Sequence, residues 1–237
     1  IAPGPLAAQT IGEPRDLSVA TGPAGAFAAR VTCFDCAHLH GAWSLAEAEH
    51  AERGTLALAG GDPALAAIDP RAAVYLDIET TGLSGGAGVH SFMVGLGRFV
   101  DGGRRFELWQ GFLREPDEAP AMLAETARRI ADSDAVVSFF GKSFDRHRLE
   151  DGMRLHGVEP PFADRPHLDL YHACRRLYGP AFQDGRLATM ERELCGVERV
   201  DGLPGAHAPA AWFDWLAGRA HRLEAVFRHN LLDVLSL

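Results

Sequence analysis

Several things are scarce in this sequence. Lys142 is the only lysine among 237 residues, so arginine carries the remaining permanent side-chain positive charge. Acidic residues outnumber lysine plus arginine by 32 to 23, a formal net charge of −9. That balance argues against a passive basic groove for nucleic acid. It does not exclude an enzyme acting on nucleic acid, because carboxylates that hold metal ions lose their repulsion once the ions bind. Four cysteines are too few for a disulfide scaffold at this length. No apolar run reaches about 18 residues, so no membrane span is expected. An initiator Met and a basic segment followed by an apolar one are also missing. The expectation is a piece of a longer cytoplasmic protein rather than a secreted one. What is present is an apolar fraction of 47%, enough for the core of one large domain or of a domain with an appendage.

The stretch that organises the rest is Val74-Tyr75-Leu76-Asp77-Ile78-Glu79-Thr80-Thr81-Gly82-Leu83. Side chains alternate faces along a strand, so Asp77 and Glu79 share one face while Leu76 and Ile78 pack on the other. Adjacent carboxylates repel, and a fold that brings them together calls for a cation between them. Thr80, Thr81 and Gly82 end the strand, and Gly82 lets the backbone turn and a ligand approach. The alternative is a strand ending in two solvated acids.

Residues 1–30 read as a mobile arm rich in Ala, Gly and Pro, with one strand near Ala26–Phe34. Cys33, Cys36, His38 and His40 form a possible zinc set, against buried thiols and surface histidines. Their spacing is poor, since one residue separates the Cys pair from the His pair. Ser44-Leu45-Ala46-Glu47 has the form of a capping box and predicts a short helix from Leu45 to Arg53. Gly60–Pro63 and Asp69-Pro70 bracket a linker-like segment, which divides residues 1–70, an arm and small appendage, from a main domain over 71–237.

In the main domain, Ser84–Gly88 is a flexible loop. Ser91–Val100 and Arg104–Leu113 are joined by Asp101-Gly102-Gly103, a hairpin signal that makes the first three strands a meander. Apolar positions at 119, 122, 123, 127 and 130 predict a helix over Pro116–Ala131. Ala135–Phe140 reads as a buried strand, followed by a helix to Gly157. Pro166–Leu170 is a candidate fifth strand, with helices near 171–178 and 186–195. Asp201–Ala208 reads as a loop. Trp212, Phe213 and Trp215 open a short helix as core anchors, and a final helix runs from Arg219 to the end.

Two later segments give the strand acids company. Asp145 follows a buried strand where a helix begins, the place where ligand-contacting groups collect in α/β sheets. An acid at a helix N-terminus is also favoured by the macrodipole alone. Lys142, Ser143 and the helix N-terminus could contact a phosphate. In the last helix His229 and Asp233 stand four apart on one face, at the margin of an apolar arc. Alone, they read equally as an ordinary boundary pair. Asn230 lies inside that arc and needs hydrogen-bond partners there.

Together Asp77, Glu79, Asp145 and Asp233 would hold two Mg²⁺ or Mn²⁺ ions, hard cations that take oxygen ligands. Such ions, about 4 Å apart, clamp the attacking and leaving oxygens of a phosphodiester. His229 would take the proton of the attacking water.

These residues resemble the DEDD superfamily of 3′–5′ exonucleases. Asp77–Leu83 matches its first motif, Ser143-Phe144-Asp145 the second with Leu149 following, and His229–Asp233 the third. More narrowly, the chain from about 72 to 237 is similar to the YprB-like ribonuclease H-like proteins, on Ser84–Gly88, Gly141–Asp145, His167–Leu170 and His229–Leu237. The resemblance implies a ribonuclease H-like fold: a mixed five-stranded sheet, an antiparallel meander plus parallel strands, flanked by helices. It implies the four acids as ligands of two Mg²⁺ or Mn²⁺ ions and His229 as base. It also implies contact of Thr80, Thr81, Gly82, Leu83, Lys142 and Ser143 with a single-stranded DNA or RNA substrate. Two departures stand out. Three residues separate His229 from Asp233, the spacing of the tyrosine branch, and Phe140 and Gly141 stand where the second motif often carries Asn. Asp169 is a further acid nearby, expected as a structural cap. The competing readings are a ribonuclease H-type endonuclease and a non-catalytic nucleic-acid-binding or scaffold module.

Overall fold

The computed structural model describes residues 9–82, 88–163, 165–199 and 205–237, apart from the side chain of Arg53. The strands are β1 (Ser18–Gly22), β2 (Gly25–Asp35), β3 (Leu39–His40), β4 (Trp43–Ser44), β5 (Ala73–Thr80), β6 (Ser91–Val100), β7 (Arg105–Phe112), β8 (Ala135–Ser138) and β9 (His167–Asp169). The helices are α1 (Arg53–Gly60), α2 (Ala119–Ala131), α3 (Asp145–Leu155), α4 (Leu170–Tyr178), α5 (Leu187–Met190), α6 (Ala208–Leu216) and α7 (Leu223–Leu235).

One mixed sheet runs β1-β2-β7-β6-β5-β8-β9. The expected meander is present: β5, β6 and β7 pair antiparallel in succession. β8 and β9 then add in parallel on the other side of β5. The sheet has seven strands where five were expected. The extra two are the hairpin of β1 and β2, whose second strand pairs with β7 from Ala28↔Phe112 to Asp35↔Arg105. The segment expected as an arm with one strand thus extends the main sheet, because β7 would otherwise offer an unpaired edge.

The capping box also gives way. Ser44 is tied into the β3–β4 ladder, and its side chain makes no capping bond. A six-residue 3-10 turn, Leu45–His50, replaces the expected helix, and α1 begins after it.

Alternation along β5 does what the pattern implied. Leu76 and Ile78 enter a core with Met122, Ile130, Leu149 and Met153 of α2 and α3. The opposite face lies under α7, which crosses β5, β6 and β7. Two glycines of β6 permit that approach. A Cβ on Gly95 would come 2.3 Å from Asn230 Oδ1, and one on Gly97 would come 2.7 Å from Val234 Cγ1. The strands β5, β8 and β9 are mutually parallel, so their carboxyl ends lie at one edge; Ser138 stands opposite Asp169 there, and β5 runs on past its pairing with β8 to Glu79. No helix among the described residues is long and apolar enough to cross a membrane.

Candidate active site

The acids named from the sequence meet at that edge. Asp77 and Glu79 come from β5, Asp145 from the first turn of α3, and Asp233 from α7. Burial lifts the Asp77 carboxyl well above the usual carboxylate range, and Asp233, Asp145 and Glu79 push it further. Burial, then Asp233 and Asp145, do the same to Glu79. Asp145 is pushed up to about 8 by burial and by the charges of Asp169 and Asp233. Burial raises Asp233, while His229 and Arg199 pull it back. Desolvation disfavours charge on every one of them, and repulsion compounds it.

Asn230, whose place inside the apolar arc the sequence left open, is the hub beneath the cluster. Its Nδ2 donates to Asp77 Oδ2 at 2.8 Å, and its Oδ1 accepts from Gln110 Nε2 at 2.9 Å. Both residues are fully buried. Gln110 Nε2 also donates to the Phe227 carbonyl, fixing the amide and hence the carboxylate above it.

The α7 side of the cluster carries a residue that sequence reasoning missed. Arg199 donates to Asp233 Oδ1 through Nη2. It grips Glu191 with two bonds, Nε to Oε2 at 2.7 Å and Nη2 to Oε1 at 2.5 Å. Its Nη1 lies 3.0 Å from His229 Nδ1. Glu191 is 1% exposed and sits in a π-helical turn, Glu191–Cys195, of the kind often found at functional sites. Ser236 Oγ donates to Glu191 as well, and His40 Nε2 reaches Ser236 Oγ at 2.8 Å. Arginine has no acceptor, so its contact fixes His229 Nδ1 as the acceptor. A neutral ring then carries its proton on Nε2, which lies 3.5 Å from Asp233 Oδ2.

The donor chemistry suits a hard cation. Glu79 Oε1 is buried without a hydrogen-bond partner, and Arg199 only partly offsets the burial and repulsion that raise Glu79. The set is not closed around an ion as it stands. Among the described residues no three His, Cys, Asp or Glu side chains form a group ready to hold one, with Arg199 occupying Asp233.

The expected substrate-contact residues divide. Thr80 is buried and its hydroxyl donates to the Gly82 carbonyl. Thr81 Oγ1 accepts from His90 N–H. Both hydroxyls therefore shape the turn after β5. Gly82 is half-buried, and Leu83 lies outside the described residues. Lys142 is half-buried and Ser143 exposed, on the loop that leads into α3.

That loop is strained. Phe140 has φ +64°, in the left-handed region. Non-glycine residues there cost roughly 1–3 kcal/mol, and asparagine tolerates the region better than most. The adjacent Gly141 passes close over the site, where a Cβ would stand 2.3 Å from Ser138 Oγ and 3.1 Å from Asp145 Oδ2. Asp169 anchors the loop by accepting from Phe140 N–H at 2.8 Å and Lys142 N–H at 3.0 Å. It also caps α4 by accepting from Tyr171 N–H, the capping role expected of it.

The four candidate zinc ligands scatter. Cys33 is exposed on β2, Cys36 turns its thiol to the Gly103 carbonyl, His38 lies against Phe34, and His40 binds Ser236. Among the described residues they form no metal-holding group.

Three comparisons with known proteins bear on this arrangement. The RNase_H superfamily, in its RNase_H_2 form, matches residues 74–237. The uncharacterized protein YprB of Bacillus subtilis (strain 168) is 33% identical over 170 residues, which span 69% of this chain and 39% of YprB. The chain therefore corresponds to well under half of that relative's length. Among solved structures, the family B DNA polymerase of the hyperthermophilic archaeon Pyrobaculum calidifontis superposes with a TM-score of 0.50 at 17% identity. The match covers 69% of this chain and 23% of the polymerase, and is a likeness of fold. Escherichia coli Exonuclease I in complex with a dT13 oligonucleotide gives 0.39 at 15% identity, over 67% of this chain and 41% of that one.

Proposed function

The chain belongs to the RNase_H superfamily, and from that premise we propose that it is a divalent-metal-dependent 3′–5′ exonuclease acting on single-stranded DNA or RNA. The observation that carries this reading is the meeting of Asp77, Glu79, Asp145 and Asp233 at one sheet edge, with Glu79 Oε1 buried and unpaired. A fold keeps four repelling carboxylates together at a cost that bound cations offset.

Asp77, Glu79, Asp145 and Asp233 would hold Mg²⁺ or Mn²⁺. Such ions supply Lewis acidity at the attacking water and countercharge at the leaving 3′-oxygen of a phosphodiester. Asn230 orients Asp77 by donating to Oδ2. Lys142 and Ser143 lie on the loop before α3, where they meet the strand's phosphate. His229 accepts the proton of the attacking water at a ring nitrogen. That step needs Nδ1 free, so Arg199, whose Nη1 lies 3.0 Å from it, would have to release the ring.

The test is cleavage of end-labelled single-stranded DNA and RNA oligonucleotides in Mn²⁺, in Mg²⁺ and in EDTA, beside Asp77→Asn. The expected result is a ladder shortening from the 3′ end, lost with EDTA and with the variant. Internal fragments would replace the reading with a ribonuclease H-type endonuclease. Absence of both cleavage and calorimetric ion binding would leave a non-catalytic binding module.

A further inference from the structure

Phe140 is 45% exposed, an apolar ring in solvent on a left-handed backbone. Neither feature benefits folding: the exposed ring gains little from burial, and the backbone is strained. Asparagine or glycine would fit that conformation more easily. Residues held in such regions cluster at functional sites, where the surrounding structure enforces them.

The enforcement here is specific. The Asp169 carboxylate is 3% exposed and accepts the backbone N–H groups of Phe140, Lys142 and Tyr171. One buried acid thus sets the position of two aromatic residues at once. Their rings meet edge to face, with centroids 4.9 Å apart and planes at 75°. Phe139 closes on Tyr171 from a second direction, at 5.6 Å and 83°. The same loop then carries Gly141 over Asp145. The exposed ring is therefore a few residues, along a pinned backbone, from one of the four acids.

Positive charge gathers beside it in a chain that has little to spare. Arg175 Nη1 donates to Tyr171 Oη at 2.7 Å, and its guanidinium lies 6.0 Å from the Tyr171 ring centroid. Lys142, the only lysine, is two residues from Phe140. A flat apolar ring, a braced second aromatic and two cations complement a base and its phosphate.

We propose that Phe140, braced by Tyr171, is a stacking platform for a nucleobase of the single strand whose backbone enters the acid cluster. This rests on the nuclease reading and adds to it the group that grips a base beside the site. Stacking engages the π-face that every base shares, so the platform holds any of the four bases. Tyr171 and Asp169 are positioning residues in this scheme.

The experiment is fluorescence anisotropy of fluorescein-labelled dT12 and rU12 in Ca²⁺, with wild type, Phe140→Ala, Phe140→Asn and Phe140→Trp. A stacked base is worth about 5- to 100-fold in affinity, so Phe140→Ala and Phe140→Asn are expected to weaken binding by that factor. Phe140→Trp is expected to retain binding. Phe140→Asn also relieves the backbone, so its thermal midpoint should equal or exceed that of the wild type, which separates lost stacking from lost folding. Oligonucleotides with an abasic residue moved stepwise from the 3′ end supply the second arm. At one position the penalty of Phe140→Ala should vanish. Equal affinity of wild type and Phe140→Ala for the intact oligonucleotides overturns the platform and leaves the ring to a protein contact. Failure of the wild type itself to bind either oligonucleotide overturns the nucleic-acid reading beneath it.

Discussion

The two halves of the acid cluster are built on opposite plans. On the β5 half, Asp77 and Glu79 are pressed together, with one amide on Asp77 and nothing on Glu79 Oε1. On the α7 half, Asp233 and His229 are already met by Arg199, itself held by the buried Glu191. The first half is disfavoured as charge by burial and repulsion; the second is met by a positive charge from within the chain. A buried carboxylate persists either by staying protonated or by finding a cation, and this site uses both means. On the proposed metal-dependent reading, added ions would meet the β5 half first, and the α7 half would open only by exchanging its arginine.

The comparison breaks most sharply at Asp77. Asp77→Asn is expected to lower cleavage by a thousandfold or more, since ion-held charge stabilisation is worth several kcal/mol, while the circular dichroism spectrum stays native. Equal activity in the variant would remove the β5 half from the chemistry.

Arg199→Gln attacks the other half. It leaves Glu191 buried without its ion pair, and loss of one partner of such a pair costs about 3–5 kcal/mol. Urea unfolding of the metal-free variant should show that loss, and Mn²⁺ should restore more stability to it than to the wild type. A variant as stable as wild type, with unchanged Mn²⁺ response, would mean that Arg199 does not stand in for a cation.

pH sharpens the difference without mutation. The Asp145 carboxyl titrates at about 8 when folded against an ordinary 3.8. Between those values the folded form binds a proton that the unfolded form has released. Stability of the metal-free protein should therefore fall as pH rises from about 4 to about 8, by on the order of a few kcal/mol. Asp77 and Glu79 shift in the same direction and add to the slope. Thermal melts in EDTA measure it, and a divalent ion or Asp145→Asn should flatten it. A rising midpoint over that range would contradict the sign.

The smallest effect tests the hub shared by both halves. Gly95→Ala drives a methyl into Asn230 and should cost about 1–3 kcal/mol, the usual penalty of overpacking. Urea unfolding measures it, and an unchanged midpoint would show that α7 has room to shift on β6.

Much of the β5 half was legible because period-two alternation is a local property. Asp77 and Glu79 share a face for the same reason that Leu76 and Ile78 share the other. The last helix was legible by its period as well, and Asn230 in the apolar arc was a visible anomaly whose partner, Gln110, stands 120 residues away. Arg199 was not legible. It lies 34 residues before Asp233, in irregular chain after a π-helical turn, where no periodicity points a side chain anywhere. The β1–β2 hairpin was half legible: β2 could be read as a strand, but pairing with β7 is decided by an open edge elsewhere in the sequence. Ser44-Leu45-Ala46-Glu47 carried a true local signal that lost to the β3–β4 ladder.

The hydrogen bond from His40 to Ser236 reaches further than its 2.8 Å. Ser236 holds Glu191, Glu191 holds Arg199, and Arg199 holds Asp233. The superfamily match begins at residue 74, so the first link of that chain lies outside the inherited core. A fragment trimmed to the recognisable family segment would keep every acid and forfeit the strut that sets one of them. In this protein the natural unit for engineering, crystallisation or transplantation is larger than the unit of homology.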